Sequence, residues 1–170
     1  MTLFHAVLAL VAAQRLAELA LAHRNTRRLT AEGAVEAGGR HYPLFVVLHA
    51  GWLAAIALAV PAAMPPDPLL LGALLAVMGI RLWVMASLGR FWTTRILTLP
   101  KAPLVRRGPY RWLRHPNYMV VSAEIALLPL AFGEWRVAVA FSALNGALLA
   151  HRIAVEDAVL SVRGSSAASG

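Results

Sequence analysis

Long apolar segments alternate with shorter polar ones along the chain. Four of them are long enough for a helix that crosses the hydrocarbon core of a bilayer, which takes about 20 residues. They cover residues 2–22, 42–60, 68–88 and 135–154. A fifth, residues 117–132, is shorter and is separated from the last by only Gly133 and Glu134. It is either a full span or one arm of a tight hairpin. The pattern therefore predicts an all-α integral membrane protein of about five transmembrane helices.

Composition supports the membrane assignment. Hydrophobic residues make up 59% of the 170 residues and charged residues only 14%, whereas soluble domains are roughly 45–50% apolar and about 25% charged. The net charge is +8, but the basic residues lie between apolar segments, which favours lipid headgroups over nucleic acid as their partner. The sequence has no cysteine, so disulfides and Cys-ligated metals are excluded. We predict no metal site.

The distribution of basic residues predicts the orientation. Eleven of the sixteen lie in the first and third connecting segments: Arg24, Arg27, Arg28, Arg40, Arg90, Arg95, Lys101, Arg106, Arg107, Arg111 and Arg114. By the positive-inside rule these segments face the cytosol, which puts the N-terminus outside and the C-terminus inside. We expect residues 1–163 to form one membrane domain in the inner membrane. Residues 164–170, which are small and polar, are expected to be a disordered tail.

Ionisable residues within the apolar segments need partners, because a charge at membrane depth costs at least about 2.5–3.5 kcal/mol. Gln14, Arg15 and Glu18 are spaced so that one face of the first helix can hold them in a mutually satisfied cluster. Glu124 in the fourth helix is expected to find an interhelix partner such as Gln14 or Arg15. We interpret these residues as a polar clamp between helices.

Two further groups of polar residues lie near the predicted cytosolic side. In the last helix Asn145, Arg152 and Glu156 share one face, and the latter two are spaced like an ordinary surface ion pair. The segment between the third and fourth helices ends in His115, Pro116 and Tyr118 at a helix N-terminus, where anions are favoured. Taken alone, His115 could equally be an interfacial histidine.

The residues Gly108-Pro109-Tyr110-Arg111-Trp112-Leu113-Arg114-His115-Pro116-Asn117-Tyr118, followed by Arg152-Ile-Ala-Val-Glu156, resemble the isoprenylcysteine carboxyl methyltransferase family. The resemblance covers residues 88–160. The remainder, with Gln14-Arg-Leu-Ala-Glu-Leu19 in the first helix, is similar to a short bacterial branch associated with type III polyketide synthases, whose members are thought to methylate alkylpyrones or alkylresorcinols. One departure from the family is Val120, where many members have glycine.

The resemblance implies methyl transfer from S-adenosylmethionine, bound at the cytosolic membrane face, to an amphipathic acceptor entering from lipid. The third connecting segment and the last two helices would form the site. Catalytic roles would fall to Arg152, Glu156 and His115, with Arg152 facing the acceptor. The cofactor would be held by His115, Tyr118, Glu156, Pro116, Arg114 and Tyr110.

The methylated atom is expected to be an oxygen. A phenolic acceptor needs a base such as His115 or Glu156 and a cation such as Arg152 for the phenolate, whereas a carboxylate acceptor needs only orientation. Alkylresorcinols, alkylpyrones and prenylcysteines are therefore all candidates. Two other classes stay open: an NADPH-dependent sterol-type reductase, which shares the Arg114–Tyr118 motif, and a non-catalytic membrane partner of a synthase, whose basic segment would dock an acidic protein or anionic lipid.

Overall fold

The computed structural model describes residues 2–37, 42–99 and 105–168, and for residues 157–168 the backbone alone. Its elements in chain order are α1 (Leu3–Ala31), β1 (Val35–Ala37), α2 (Tyr42–Ala59), α3 (Pro68–Leu88), β2 (Ile96–Thr98), α4 (Pro116–Ala131) and α5 (Trp135–Ala168). Short 3-10 helices at Gly89–Phe91 and Gly108–Arg111 follow α3 and precede α4. Helices α1, α2, α3 and α5 are each long and apolar enough to cross a membrane. The predicted helical membrane fold is confirmed.

Helix α4 is the short member of the bundle. Its 16 residues span about 24 Å, less than the roughly 30 Å of a bilayer core. It nevertheless packs along both α3 and α5, and its side chains supply much of the core. The core also includes Trp52 of α2, which is completely buried and donates from Nε1 to the carbonyl of Ile125 at 3.2 Å.

Local chemistry explains several helix boundaries. The Asp67 carboxylate accepts from the amides of Leu69 and Leu70 and so caps α3, and Gly89, with φ of 54°, ends it. Pro116 occupies the first turn of α4, where its missing N–H costs nothing.

One predicted boundary was wrong. Helix α1 was expected to end at Ala22 but continues to Ala31, because the apolar pattern marks only the part that suits lipid and no glycine or proline stops the helix before Gly33. The last apolar segment ends at Ala154, but Glu156 was already placed on the same helix, and α5 continues to Ala168. Its backbone thus includes residues 164–168 of the segment assigned to a disordered tail, while residues 169–170 lie outside the described residues. The division into one domain and a tail stays a prediction.

A four-residue ionic cluster joins α1, α3 and α4. Arg81 forms a two-pronged contact with Glu18, Nε to Oε1 and Nη2 to Oε2, both at 2.5 Å. Arg15 donates to Glu18 at 3.0 Å and to Glu124 at 2.6 Å, and Arg81 also reaches Glu124 at 3.1 Å. Gln14 donates to Glu18 at 3.0 Å. The predicted clamp and the Arg15 partner of Glu124 are confirmed, but Arg81 was missed.

A small β-ribbon is the one departure from an all-helical fold among the described residues. Strand β1 pairs antiparallel with β2 in the register Val35 to Thr98 and Ala37 to Ile96. An ion pair between Arg95 and Glu36 at 2.7 Å reinforces the ribbon. It ties the first connecting segment to the third, at the end of the bundle where α4 begins.

Candidate active site

The hydroxyl of Tyr118 lies at the centre of a polar cluster between α4 and α5. It donates to Glu156 Oε2 at 2.5 Å and accepts from Arg152 Nε at 2.9 Å. The sequence left open an ordinary ion pair between Arg152 and Glu156. In the structure the two are linked through Tyr118, so a base, a cation and a phenol meet at one point.

His115 completes this cluster from the residue that precedes α4. Its ring stacks on that of Tyr118, with centroids 5.3 Å apart and planes 16° apart. Its Nδ1 lies 3.7 Å from Glu156 Oε2. Because Pro116 starts the helix directly after it, the ring is held over the first turn of α4. The four motif residues predicted to act together are therefore adjacent.

Tyr110 and Arg114 are the two more distant members of the predicted set. Tyr110 packs against the buried group of Ala22, Val84, Trp92 and Val120. Burial, and secondarily the negative charge of Glu156, raise the pKa of its phenol well above the usual value. Tyr110 therefore stays a neutral hydroxyl close to the Glu156 carboxylate. Arg114 lies on the exposed surface immediately before His115.

Two contacts of Arg152 were not predicted. Its Nη2 donates to the backbone carbonyl of Thr94 at 2.8 Å, and its guanidinium lies 5.2 Å from the ring centroid of Phe45. Phe45 is an aromatic residue in the first turn of α2, and this position was the only feature of the sequence that could have indicated its contact with Arg152. A backbone carbonyl such as that of Thr94 leaves no signal in a sequence.

These contacts border a shallow recess beside the ribbon. It is lined by residues from four elements and the connecting segment: Glu36, Ala37, Tyr42, Phe45, Thr94, Arg95, Ile96, Arg152 and Val155. Arg152 therefore borders this recess as well as contacting Tyr118. A group that approaches Arg152 from here would meet the aromatic face of Phe45 as well as the cation.

Asn25 anchors the segment that carries Thr94. From the end of α1, its Nδ2 donates to the carbonyls of Gly89 at 3.2 Å and Trp92 at 2.9 Å. Trp92 is buried and lies 5.8 Å from the guanidinium of Arg81. The ionic cluster and the extension of α1 therefore both support the segment that contacts Arg152.

The cluster offers groups that suit a cationic, polar ligand. Glu156 supplies a carboxylate, and the Tyr118 ring has a π face that already lies 5.7 Å from the Arg152 guanidinium. Asn117 Oδ1 is a buried acceptor with no hydrogen-bond partner among the described residues. Within the same residues, no group of three or more His, Asp and Glu is arranged to hold a metal ion.

The chain is similar to known proteins over most of its length. Residues 69–162 match the isoprenylcysteine carboxyl methyltransferase family. The Bacillus subtilis protein YpbQ, described as uncharacterized, is 38% identical over 162 residues, covering 93% of this chain and 96% of that protein. An uncharacterized protein of Haemophilus influenzae is 27% identical over 158 residues, covering 90% and 92%. No solved structure matches significantly. Neither relative has a described acceptor, so the association with polyketide synthases stays a prediction.

Proposed function

The chain belongs to the isoprenylcysteine carboxyl methyltransferase family and is a membrane methyltransferase, and from this premise we propose that it methylates an oxygen of an amphipathic, lipid-like acceptor. The methyl donor is S-adenosylmethionine, the cofactor of this family. The observation that carries the proposal is the Tyr118 hydroxyl held between Arg152 and Glu156. It brings a carboxylate, a guanidinium and two aromatic rings together where α4 and α5 meet.

The residues present suit the cofactor. When bound, S-adenosylmethionine supplies an electrophilic methyl group on a positively charged sulfur. Glu156 is complementary to that charge, and His115 Nδ1 lies beside the same carboxylate at 3.7 Å. Pro116, Arg114 and Tyr110 complete the proposed cofactor site, with the buried acceptor of Asn117 beside them.

S-adenosylmethionine held by Glu156, His115 and Tyr118 would supply the methyl group, exchanging its bond to sulfur for a bond to the acceptor oxygen. A phenolic acceptor must lose its proton, and we assign that proton to Glu156 or His115. Arg152 stabilises the oxyanion that results. A carboxylate acceptor carries no such proton, and Arg152 would then only orient it. Most of the catalysis comes from positioning the two reactants and excluding water.

The acceptor we favour is a phenolic lipid such as an alkylresorcinol, with alkylpyrones and prenylcysteines as other members of the class. The ring of Phe45, 5.2 Å from the Arg152 guanidinium, supports an acceptor with an aromatic or planar head, because such a group would meet an aromatic face as well as the cation. The alkyl chain would stay in the lipid phase, where burying each methylene contributes about 0.8 kcal/mol.

We also propose that the active-site end of the bundle faces the cytosol across the inner membrane. The basic connecting segments lie at the end where α1 and α3 finish and α4 starts. The short connection at Gly133 and Glu134 lies at the opposite end. By the positive-inside rule the basic end remains in the cytosol, where S-adenosylmethionine is made.

The decisive experiment is equilibrium binding of S-adenosylmethionine to the protein purified in detergent. We expect Glu156→Gln and His115→Ala each to weaken binding by about tenfold or more, since a hydrogen bond to a charged group is worth roughly 1.5–3 kcal/mol. Glu134→Gln, at the far end of the bundle, is the matched control and should bind normally. Unchanged binding in both site variants would overturn the site assignment. Binding of NADPH in place of S-adenosylmethionine would favour a reductase.

A further inference from the structure

A second polar pair lies deeper in the seam between α4 and α5. Asn145 Nδ2 donates to Ser122 Oγ at 3.2 Å. Asn145 is 1% exposed although its neighbours along α5 are apolar. An amide at this depth is costly unless its polar atoms are satisfied.

The amide of Asn145 is only partly satisfied. Its Oδ1 is buried and has no hydrogen-bond partner among the described residues. A serine hydroxyl can donate or accept, so exchanging the amide oxygen and nitrogen would preserve the Ser122 contact and leave the other end unpaired. An unmade hydrogen bond of this kind costs about 1–3 kcal/mol. A pair that served only to join two helices would not need this free end.

The pair is aligned with the active-site cluster. Ser122 lies one turn beyond Tyr118 on α4, a rise of about 6 Å, and Asn145 lies two turns before Arg152 on α5, about 10 Å. Leu148 lies between Asn145 and Arg152 on the same face. Ser122 is exposed at the seam. Ser122 therefore gives the pair a polar group at the exposed edge of the seam, one turn from Tyr118.

We propose that Asn145 and Ser122 form a subsite that binds a second hydroxyl group of the acceptor while the oxygen to be methylated lies near Tyr118. This inference rests on the proposed function. One helical turn is comparable to the width of one aromatic ring, so a ring with two separated hydroxyls fits between the two levels. The neutral amide and hydroxyl favour a hydroxyl group, which both donates and accepts, over a carboxylate, which only accepts.

The subsite selects acceptors by the cost of leaving Asn145 unpaired. An acceptor with the second hydroxyl satisfies the free end of the amide, whereas an acceptor without it buries that end against carbon. We expect a preference of about tenfold, which corresponds to the ordinary cost of one buried unpaired group.

The test compares an alkylresorcinol, with two ring hydroxyls, and an alkylphenol of the same chain length, with one. Their dissociation constants are measured by native mass spectrometry on the full chain in detergent, and methyl transfer to each is followed in parallel. Wild type should bind the resorcinol about tenfold more tightly. Asn145→Leu should remove this preference, Ser122→Ala should weaken it because the serine orients the amide, and S-adenosylmethionine binding should stay unchanged in both. Ser142→Ala, a half-buried serine elsewhere on α5, is the control and should keep the preference.

Equal affinity of wild type for the two lipids would overturn the subsite. An equal loss of affinity for both lipids in the variants would do the same, because the pair would then only hold the helices together. Because the Ser122 side chain is exposed, Ser122→Ala is not expected to disturb folding. Retained S-adenosylmethionine binding shows that each variant is folded. If the preference is present but neither lipid is methylated, the subsite stands and the proposed reaction on these acceptors fails.

Discussion

The ionic cluster that joins α1, α3 and α4 makes a quantitative prediction about stability. It contains two arginines and two glutamates, Arg15, Arg81, Glu18 and Glu124, all no more than 9% exposed. Their formal charges cancel. Glu124→Gln keeps the shape of the side chain but leaves the cluster with one excess positive charge. Arg15 then keeps Glu18 as its ionic partner, and Arg81 keeps its two-pronged contact with the same residue.

The expected cost follows from this imbalance. Removing one partner of a buried ion pair destabilises a protein by about 3–5 kcal/mol, because a charge is left uncompensated. At 1.4 kcal/mol per factor of ten, even the lower value reduces the ratio of folded to unfolded protein by roughly 100-fold. The double variant Arg15→Gln with Glu124→Gln restores neutrality and preserves the contact between Arg81 and Glu18.

Unfolding in mixed micelles, followed by circular dichroism as the fraction of denaturing detergent rises, measures both effects. Glu124→Gln should unfold at a clearly lower detergent fraction than wild type. The double variant should be at least about 1 kcal/mol more stable than the sum of the two single variants predicts, within the usual range of coupling for residues in contact. Glu134→Gln provides the control for the loss of one carboxylate outside the cluster.

Two results would refute this reasoning. If Glu124→Gln unfolds like wild type, the cluster is not electrostatically coupled. If the effects of Arg15→Gln and Glu124→Gln simply add, the 2.6 Å contact between these side chains does not contribute to stability.

Two further predictions concern the segment before α4. Gly108 has φ of 56°, and a Cβ there would collide with the side chain of Ser87, so Gly108→Ala should lower the free energy of unfolding by about 1–2 kcal/mol or more. Gly146→Ala is the control, because a Cβ there meets nothing within 4 Å. Equal unfolding midpoints for the two variants would contradict the prediction. Tyr110 has a raised pKa, so its contribution to stability is fully present below its unfolded pKa of about 10 and is lost as pH rises through the folded value. The midpoint of wild type should therefore fall more steeply above pH 10 than that of Tyr110→Phe, and parallel curves would show that the phenol does not titrate this way.

Much of the fold could be predicted from the sequence. The number and order of the apolar helices were correct, as was the start of α4 at Pro116, since span length and a proline at a helix start are local properties. The end of α1 was not, because hydropathy marks the part of a helix that suits lipid and not the point where the backbone stops being helical. The ribbon of β1 and β2 is too short to show an alternating pattern.

The sequence alone therefore predicted which segments are long and apolar enough to enter the membrane and which end of the bundle is basic, and its family resemblance predicted which motif residues, His115, Tyr118, Arg152 and Glu156, should act together. Only the tertiary structure decided that the Tyr118 hydroxyl stands between Arg152 and Glu156 and that Arg81 joins the ionic cluster. It also decided that Asn145 faces Ser122, with one end of its amide unpaired among the residues the structure describes. The physical reason is that hydrophobicity and helix capping act between near neighbours in sequence. The pairing of polar side chains depends instead on how each helix is rotated against helices that are distant in sequence.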